Sequence, residues 1–287
     1  MPIIGPIVSA ATSWDFLIFV AICSIGLCVE AIIPRYRYDR TKEPLWCRVR
    51  RNVTVGLAYR LVVLPIGITP ILLAASQLYI WHRPGWMHGL AFLIIDFVLL
   101  DFVSYALHYA FHKSAYLWRY HMVHHLDQHL DMTTTFRTHA LEKALVAIAK
   151  SAAVLVFAIP LHTVIIWQTL SFFHGLYQHH NLRVGRRLER WISIVFSTRL
   201  FHDIHHARAT KYTDSNYGFV LTIWDYLFGT YSTMVRPKGF SNGLDDHGDY
   251  SATALLLNPI FRRGKPFKAS ESRARPVELA STGHTSG

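Results

Sequence analysis

Eight of the chain's 18 histidines fall in three short clusters, His108-x3-His112, His121-x2-His124-His125 and His202-x2-His205-His206. Their i, i+3 and i+4 spacings put the rings of each cluster on one helix face. Imidazoles crowded on one face are costly without a cation among them, and imidazole is a good ligand for iron, zinc, copper and nickel. Eight rings exceed what one ion needs. The clusters therefore predict a dinuclear metal centre, and a fold that brings distant segments to one point. An isolated histidine is more often an ordinary core or surface residue, and His82, His88, His129, His162, His247 and His284 are assigned to that class.

Hydrophobic residues make up 52% of the 287 positions and charged residues only 16%. That balance is too apolar for an ordinary cytosolic enzyme of this size. Trp14 to Ile33 supplies 20 residues, enough to cross a hydrocarbon core of ~30 Å. Further candidate spans are Val53 to Gln77, interrupted by Pro65 and Pro70, and Gly89 to Leu107, which carries Asp96 and Asp101. Leu141 to Phe157 and Leu161 to Leu176 read as a hairpin turning near Ile159-Pro160. The expected fold is an all-α integral membrane protein with four to five transmembrane or hairpin helices. A cytoplasmic helical cap would carry the metal site.

Orientation follows from the basic residues. Arg35, Arg37, Arg40, Lys42, Arg48, Arg50 and Arg51 follow the first span, whereas the first 14 residues hold no Lys or Arg. The positive-inside rule places that loop in the cytoplasm. Counting crossings from there puts residues 108–140, and everything from about 180 onward, on the same side. All three histidine clusters thus converge on one membrane face, although the counting makes no use of them. A substrate reaching such a site would be a lipid entering from the bilayer.

The net charge of +11 fits basic side chains lying beside spans, near anionic headgroups. No basic stripe interleaved with aromatics points to nucleic acid. Cys23, Cys28 and Cys47 imply no disulfide framework and no zinc-ribbon spacing. No charged segment precedes the first apolar run, so a cleavable signal peptide is not expected. No GxGxxG or Walker A loop is present, so electrons would come from a separate protein. HExxH and GxSxG are also absent, as are the paired ExxH motifs of ferritin-like diiron proteins.

The stretches DFVSYALHYAFH (101–112), HMVHH (121–125), RTHALE (137–142), QHHN (178–181), HDIHH (202–206) and DSNYGFVLTIWDYLFGTY (214–231), in this order, resemble the sterol desaturase and fatty acid hydroxylase superfamily. The resemblance covers residues 25 to 232, and the ordered set is specific where each stretch alone is not. It implies O2-dependent hydroxylation or desaturation of an unactivated C–H bond of a sterol, fatty acyl or other lipid by two histidine-bound irons. Electrons would come from a ferredoxin or cytochrome b5-like carrier and its reductase, docked on the basic cytoplasmic surface.

Carried over residue by residue, the ligands implied are His108, His112, His121, His124, His125, His139, His179, His202, His205 and His206. His174 and His180 stand as alternates to His179. The family often has proline after the histidine matched by His139, where Ala140 stands here. Glu142 fits the same motif and equally suits the positive end of a helix dipole. Asp101 and Asn216 are candidates for hydrogen-bonding the ligand rings. Asp203, Asp214 and Asp225 are weaker ones, and Asp214 to Gly218 also reads simply as a turn.

The expected division is a membrane and basic-loop region over 1–90, a catalytic domain resembling the hydroxylases over 91–250, and a disordered tail over 251–287. Two other readings are a membrane metal transporter, which would want its ligands at mid-membrane along a path, and a catalytically inactive homologue.

Overall fold

The apolar runs become helices, as their length and composition require. The computed structural model describes residues 14–41, 43–67, 69–232, 235–236, 239–244 and 250–261. The long helices are α1 (Trp14–Ile32), α2 (Leu45–Gly67), α4 (Leu90–Lys113), α6 (Ala140–Phe157) and α7 (Leu161–His179). Shorter ones are α3 (Thr69–Ser76), α5 (Ala115–His125), α8 (Arg186–Ile192), α9 (Arg199–His205), α10 (Thr210–Thr213), α11 (Ile223–Leu227) and α12 (Ala252–Phe261). A 3-10 turn, Met132–Phe136, joins α5 to α6. Among the described residues there is no β-strand, only three isolated bridges, so the chain is all-α.

Among the described residues α4, at 24 residues, is the one helix that is long and apolar enough to cross a membrane. The second expected span is helical on both sides of residue 68, which lies outside the described residues, as α2 and α3. The α6–α7 hairpin turns where it is expected. Ala158 ends α6 in the left-handed conformation (φ 50°), and Pro160 caps the start of α7. The outer faces of α2, α4, α6 and α7 leave Leu61, Ile94, Ile148 and Leu170 exposed.

Two apolar clusters hold the helices together. Leu100, Val154, Ile159, Val164 and Trp167 pack α4, α6 and α7 away from the histidines. Val55, Trp118, Met122, Val123 and Leu255 pack α2, α5 and α12 behind the second histidine cluster. The first residues of the segment expected to be a tail are therefore helical, because Leu255 has an apolar surface to bury. Residues 262–287, like His247 and His284, lie outside the described residues.

Three arginines of the basic loop have partners within the protein. Arg35 pairs with Glu189 at 2.5 Å and Arg51 with Glu43 at 2.7 Å. Arg48 is 1% exposed and is no headgroup contact. Its guanidinium grips Asp127 at 2.9 and 2.6 Å and also binds Asp131 and the carbonyl of His129. Asn52 and Thr134 donate to Asp127 as well. This fully bonded network fastens α2 to the segment that links the second histidine cluster to α6.

Candidate metal centre

Ser114 ends α4 and caps α5, its hydroxyl accepting from the Leu117 amide. That turn places His108 and His112 beside His121 and His125. The third cluster arrives on α9, whose start is capped by Thr198 through the Phe201 amide. His179 enters from the last turn of α7. The result is two adjoining groups: His108, His112, His121, His125 and His205, then His124, His179, His202 and His206. Within each group the donor nitrogens lie within 4.8 Å of one another.

Ring protonation identifies what these groups fit. His124 and His179 each donate Nδ1–H to a backbone carbonyl, Arg137 at 3.2 Å and Gly175 at 2.7 Å. A carbonyl only accepts, so each Nδ1 holds the ring proton and each neutral ring presents a bare Nε2. These two Nε2 atoms nevertheless face each other at 3.0 Å. A proton shared between them would require one ring to be cationic. Burial, with the facing imidazoles, pushes His124 well below the usual histidine range, and burial lowers His179 to about 4. Lone pairs aimed at one another with no proton between them fit a bound cation.

Close ring-to-ring contacts continue through the site. His202 Nε2 lies 3.1 Å from His179 Nε2 and 3.0 Å from His206 Nε2. In the other group, His108 donates Nδ1–H to Tyr217 O at 2.8 Å, while its Nε2 meets His121 Nε2 at 3.1 Å. His205 donates Nδ1–H to Ser215 O at 2.7 Å, leaving its buried Nε2 without a protein partner. His112 Nε2 is equally unpartnered. Burial lowers His205 to about 3, and burial with neighbouring imidazoles takes His125, His202 and His206 lower than usual too. His124, His125, His179, His202, His205 and His206 are therefore neutral near pH 7, so no proton competes for their lone pairs.

The fatty acid hydroxylase family model matches residues 91–230, a stretch that contains all nine clustered histidines. Residues 91–230 are a fatty acid hydroxylase domain. Ornithine lipid hydroxylase OlsE of Rhizobium tropici is similar over 98 residues at 32% identity, covering 33% of this chain and 28% of that protein. The chain thus spans well under two thirds of that relative's length. No solved structure matches the chain.

Within the hydroxylase domain, nine of the ten histidines implied by the resemblance meet in the two groups. His139 does not. It caps α6 by accepting the Leu141 amide at Nδ1 (3.1 Å), and its Nε2 donates to Leu256 O (3.0 Å). With both nitrogens engaged on backbone, His139→Ala should leave metal content unchanged and cost about 1 kcal/mol as a lost cap. Metal analysis beside thermal unfolding checks this; loss of one equivalent of metal would return His139 to the ligand set. The alternates are also engaged elsewhere. His174 donates to Ser197 O at 2.8 Å and His180 accepts from Leu182 N at 3.1 Å. His82, His88, His129 and His162 belong to neither group.

Asp101 touches no histidine. Its carboxylate accepts from the Val220 and Leu221 amides and from Trp224 Nε1, at 3.0, 3.1 and 2.9 Å. It tethers to α4 the segment whose Tyr217 carbonyl orients His108. Asn216 lies at the centre of that segment with φ 56°, a left-handed conformation that asparagine tolerates. Its side chain donates to Phe201 O at 3.1 Å and accepts from Ser232 N at 2.7 Å. The carbonyls on either side of it, Ser215 and Tyr217, are the ones that hold His205 and His108. Asp225 closes the turn by accepting the Tyr217 and Gly218 amides at 2.8 and 2.7 Å.

The run 214–218 is thus a turn, and one that sets the proton position of two rings. A Cβ on Gly218 would meet Leu221 O at 2.6 Å, so only glycine fits there. Asp214 pairs with Lys113 at 3.1 Å and lies 3.4 Å from His112 Nδ1. Asp203 instead binds Arg236 and Asn242. Glu142 was legible as a helix-start residue, and its Oε1 comes within 3.1 Å of His121 Nδ1, without hydrogen-bond geometry. A cavity of about 530 Å³ reaches His108, His121, His124, His179 and His202. It touches both groups.

Proposed function

We propose that the protein is a membrane-bound, O2-dependent lipid hydroxylase with two irons held by the nine histidines. The observation that carries this reading is the facing of the bare Nε2 atoms of His124 and His179, whose ring protons are held away from the centre on backbone carbonyls, beside a cavity. The irons, once bound and reduced, would supply activation of O2. The chain's part is to hold neutral imidazole donors in place and to shape a buried space for a C–H bond. Carbonyls of Tyr217, Ser215, Arg137 and Gly175 fix the tautomers and make the Nε2 atoms better donors. An all-nitrogen donor set with two carboxylates, Glu142 and Asp214, beside its rings suits iron and equally zinc or copper, so the choice of iron rests on the family.

Hydroxylation consumes one O2, two electrons and two protons, turning C–H into C–OH and releasing water. The electrons would come from an external carrier, a ferredoxin or cytochrome b5-like protein with its reductase. A multi-pass topology with the metal site on the cytoplasmic side is part of the proposal. Support for it comes from the apolar outer faces of α2, α4, α6 and α7 and the span-like composition of α4. Exposed apolar surface on this scale suits lipid contact.

The test is metal content and Mössbauer spectra of 57Fe-enriched protein, followed by lipid extracts from expressing cells grown under 18O2. Two irons per chain and one labelled oxygen in a single lipid class are expected. A loss of two hydrogens without label would make the product an alkene. Stoichiometric zinc, or unaltered lipids with a competent electron donor present, would sink the reading.

A further inference from the structure

Two lysines line the cavity that reaches the histidines, and the metal centre uses neither. Lys143 and Lys150 lie seven residues apart on α6, hence on one face, and both border the cavity. Lys143 is near enough to repel charge on His108, His124 and His179. Lys150 lies about 10 Å farther along the helix axis, at 1.5 Å per residue. Its ammonium sits 3.8 Å from the centroid of the Trp167 ring.

Among the described residues neither lysine's ammonium has an ion pair or hydrogen bond. Asp101 attracts Lys150 through space but spends both oxygens on Val220, Leu221 and Trp224. Glu142, the carboxylate that lines the cavity, lies against His121. Arg60 adds a third positive charge to the walls. An ammonium inside an apolar helical bundle is costly without an anionic partner, and one aromatic face offsets only part of that cost.

We propose that the missing partner is the substrate: the cavity takes a lipid whose anionic group, a carboxylate or a phosphate, docks on Lys150. Lys143 lies between that anion and the histidines, so the reacting carbon stands several carbons from the charged group. This deepens the hydroxylase reading and rests on it only for what happens to the bound lipid. The binding itself is independent of turnover.

The test is equilibrium dialysis of the metal-loaded, full-length protein in neutral detergent against radiolabelled stearate, stearyl phosphate and methyl stearate. At least one anionic amphiphile should bind roughly tenfold or more tightly than the uncharged ester, as a charge-assisted hydrogen bond implies. Whichever anion wins names the group. Lys150→Met should abolish the preference while leaving ester binding and metal content intact, and Lys150→Arg should keep it. Equal binding of all three probes to the wild type overturns the proposal, as does a preference that survives Lys150→Met. Should Lys150→Met not fold, the wild-type acid-to-ester ratio together with Lys150→Gln decides. Selective anion binding without 18O incorporation would retain this proposal and refute the hydroxylase; incorporation without selectivity would do the reverse.

Discussion

His179→Ala lowers turnover by roughly 100-fold or more and takes metal from the four-histidine group, an expectation set by the losses seen when metal-site residues are removed. His179 Nε2 lies 3.0 Å from that of His124 and 3.1 Å from that of His202. It is therefore an inner member of the chain of facing nitrogens. Its proton is held by Gly175 O, with the Thr135 hydroxyl 3.2 Å away, so no other ring can take its place without rebuilding that turn of α7. Alanine at His174 or His180 provides the contrast. Both rings are engaged with backbone outside the groups, and both variants should retain full metal content. Metal analysis on the three proteins reads the outcome. Equal losses in all three would mean that the end of α7 matters for folding rather than for ligation.

The second large effect is on stability. Arg48→Met leaves Asp127 and Asp131 buried, at 0% and 6% exposure, without the guanidinium that both bind. Removing one partner of a buried ion pair costs about 3–5 kcal/mol, because the remaining charge stays desolvated. Asp127→Asn should cost a similar amount, and the double variant less than the sum of the two, since each removes the other's stranded charge. The unfolding midpoint in detergent measures this. A loss under about 1 kcal/mol would place the pair in the class of exposed ion pairs. Turnover should fall as well: Arg137, 4.0 Å from Asp127, supplies the carbonyl that orients His124.

The clusters, the apolar helices, the hairpin at Pro160 and the hydroxylase motifs were all legible because they are local. A ring at i and another at i+4 share a helix face whatever the rest of the chain does, so eight ligand positions could be named from spacing alone. The motif around His139 misled for the same reason. Its residue types match, but the ring faces α12, whose Leu256 carbonyl lies 117 residues away in the chain. Arg48 read as one more charge in a basic loop, since nothing in its own neighbourhood reveals two aspartates about eighty residues on.

The amino-acid sequence by itself determined that the chain is helical, that histidines crowd on helix faces, and that the order of motifs is that of the hydroxylases. Only the tertiary structure decided how nine rings divide into five and four, and that His179 joins them while His139 does not. It also decided that the carbonyls of Ser215 and Tyr217 set the tautomers of His205 and His108, and that Lys143 and Lys150 share a cavity with the site. The physical reason is range. Helix formation and facial spacing depend on neighbours within one or two turns. The proton position of His108 depends on a carbonyl 109 residues away, and Arg48 finds its partner, Asp127, 79 residues on.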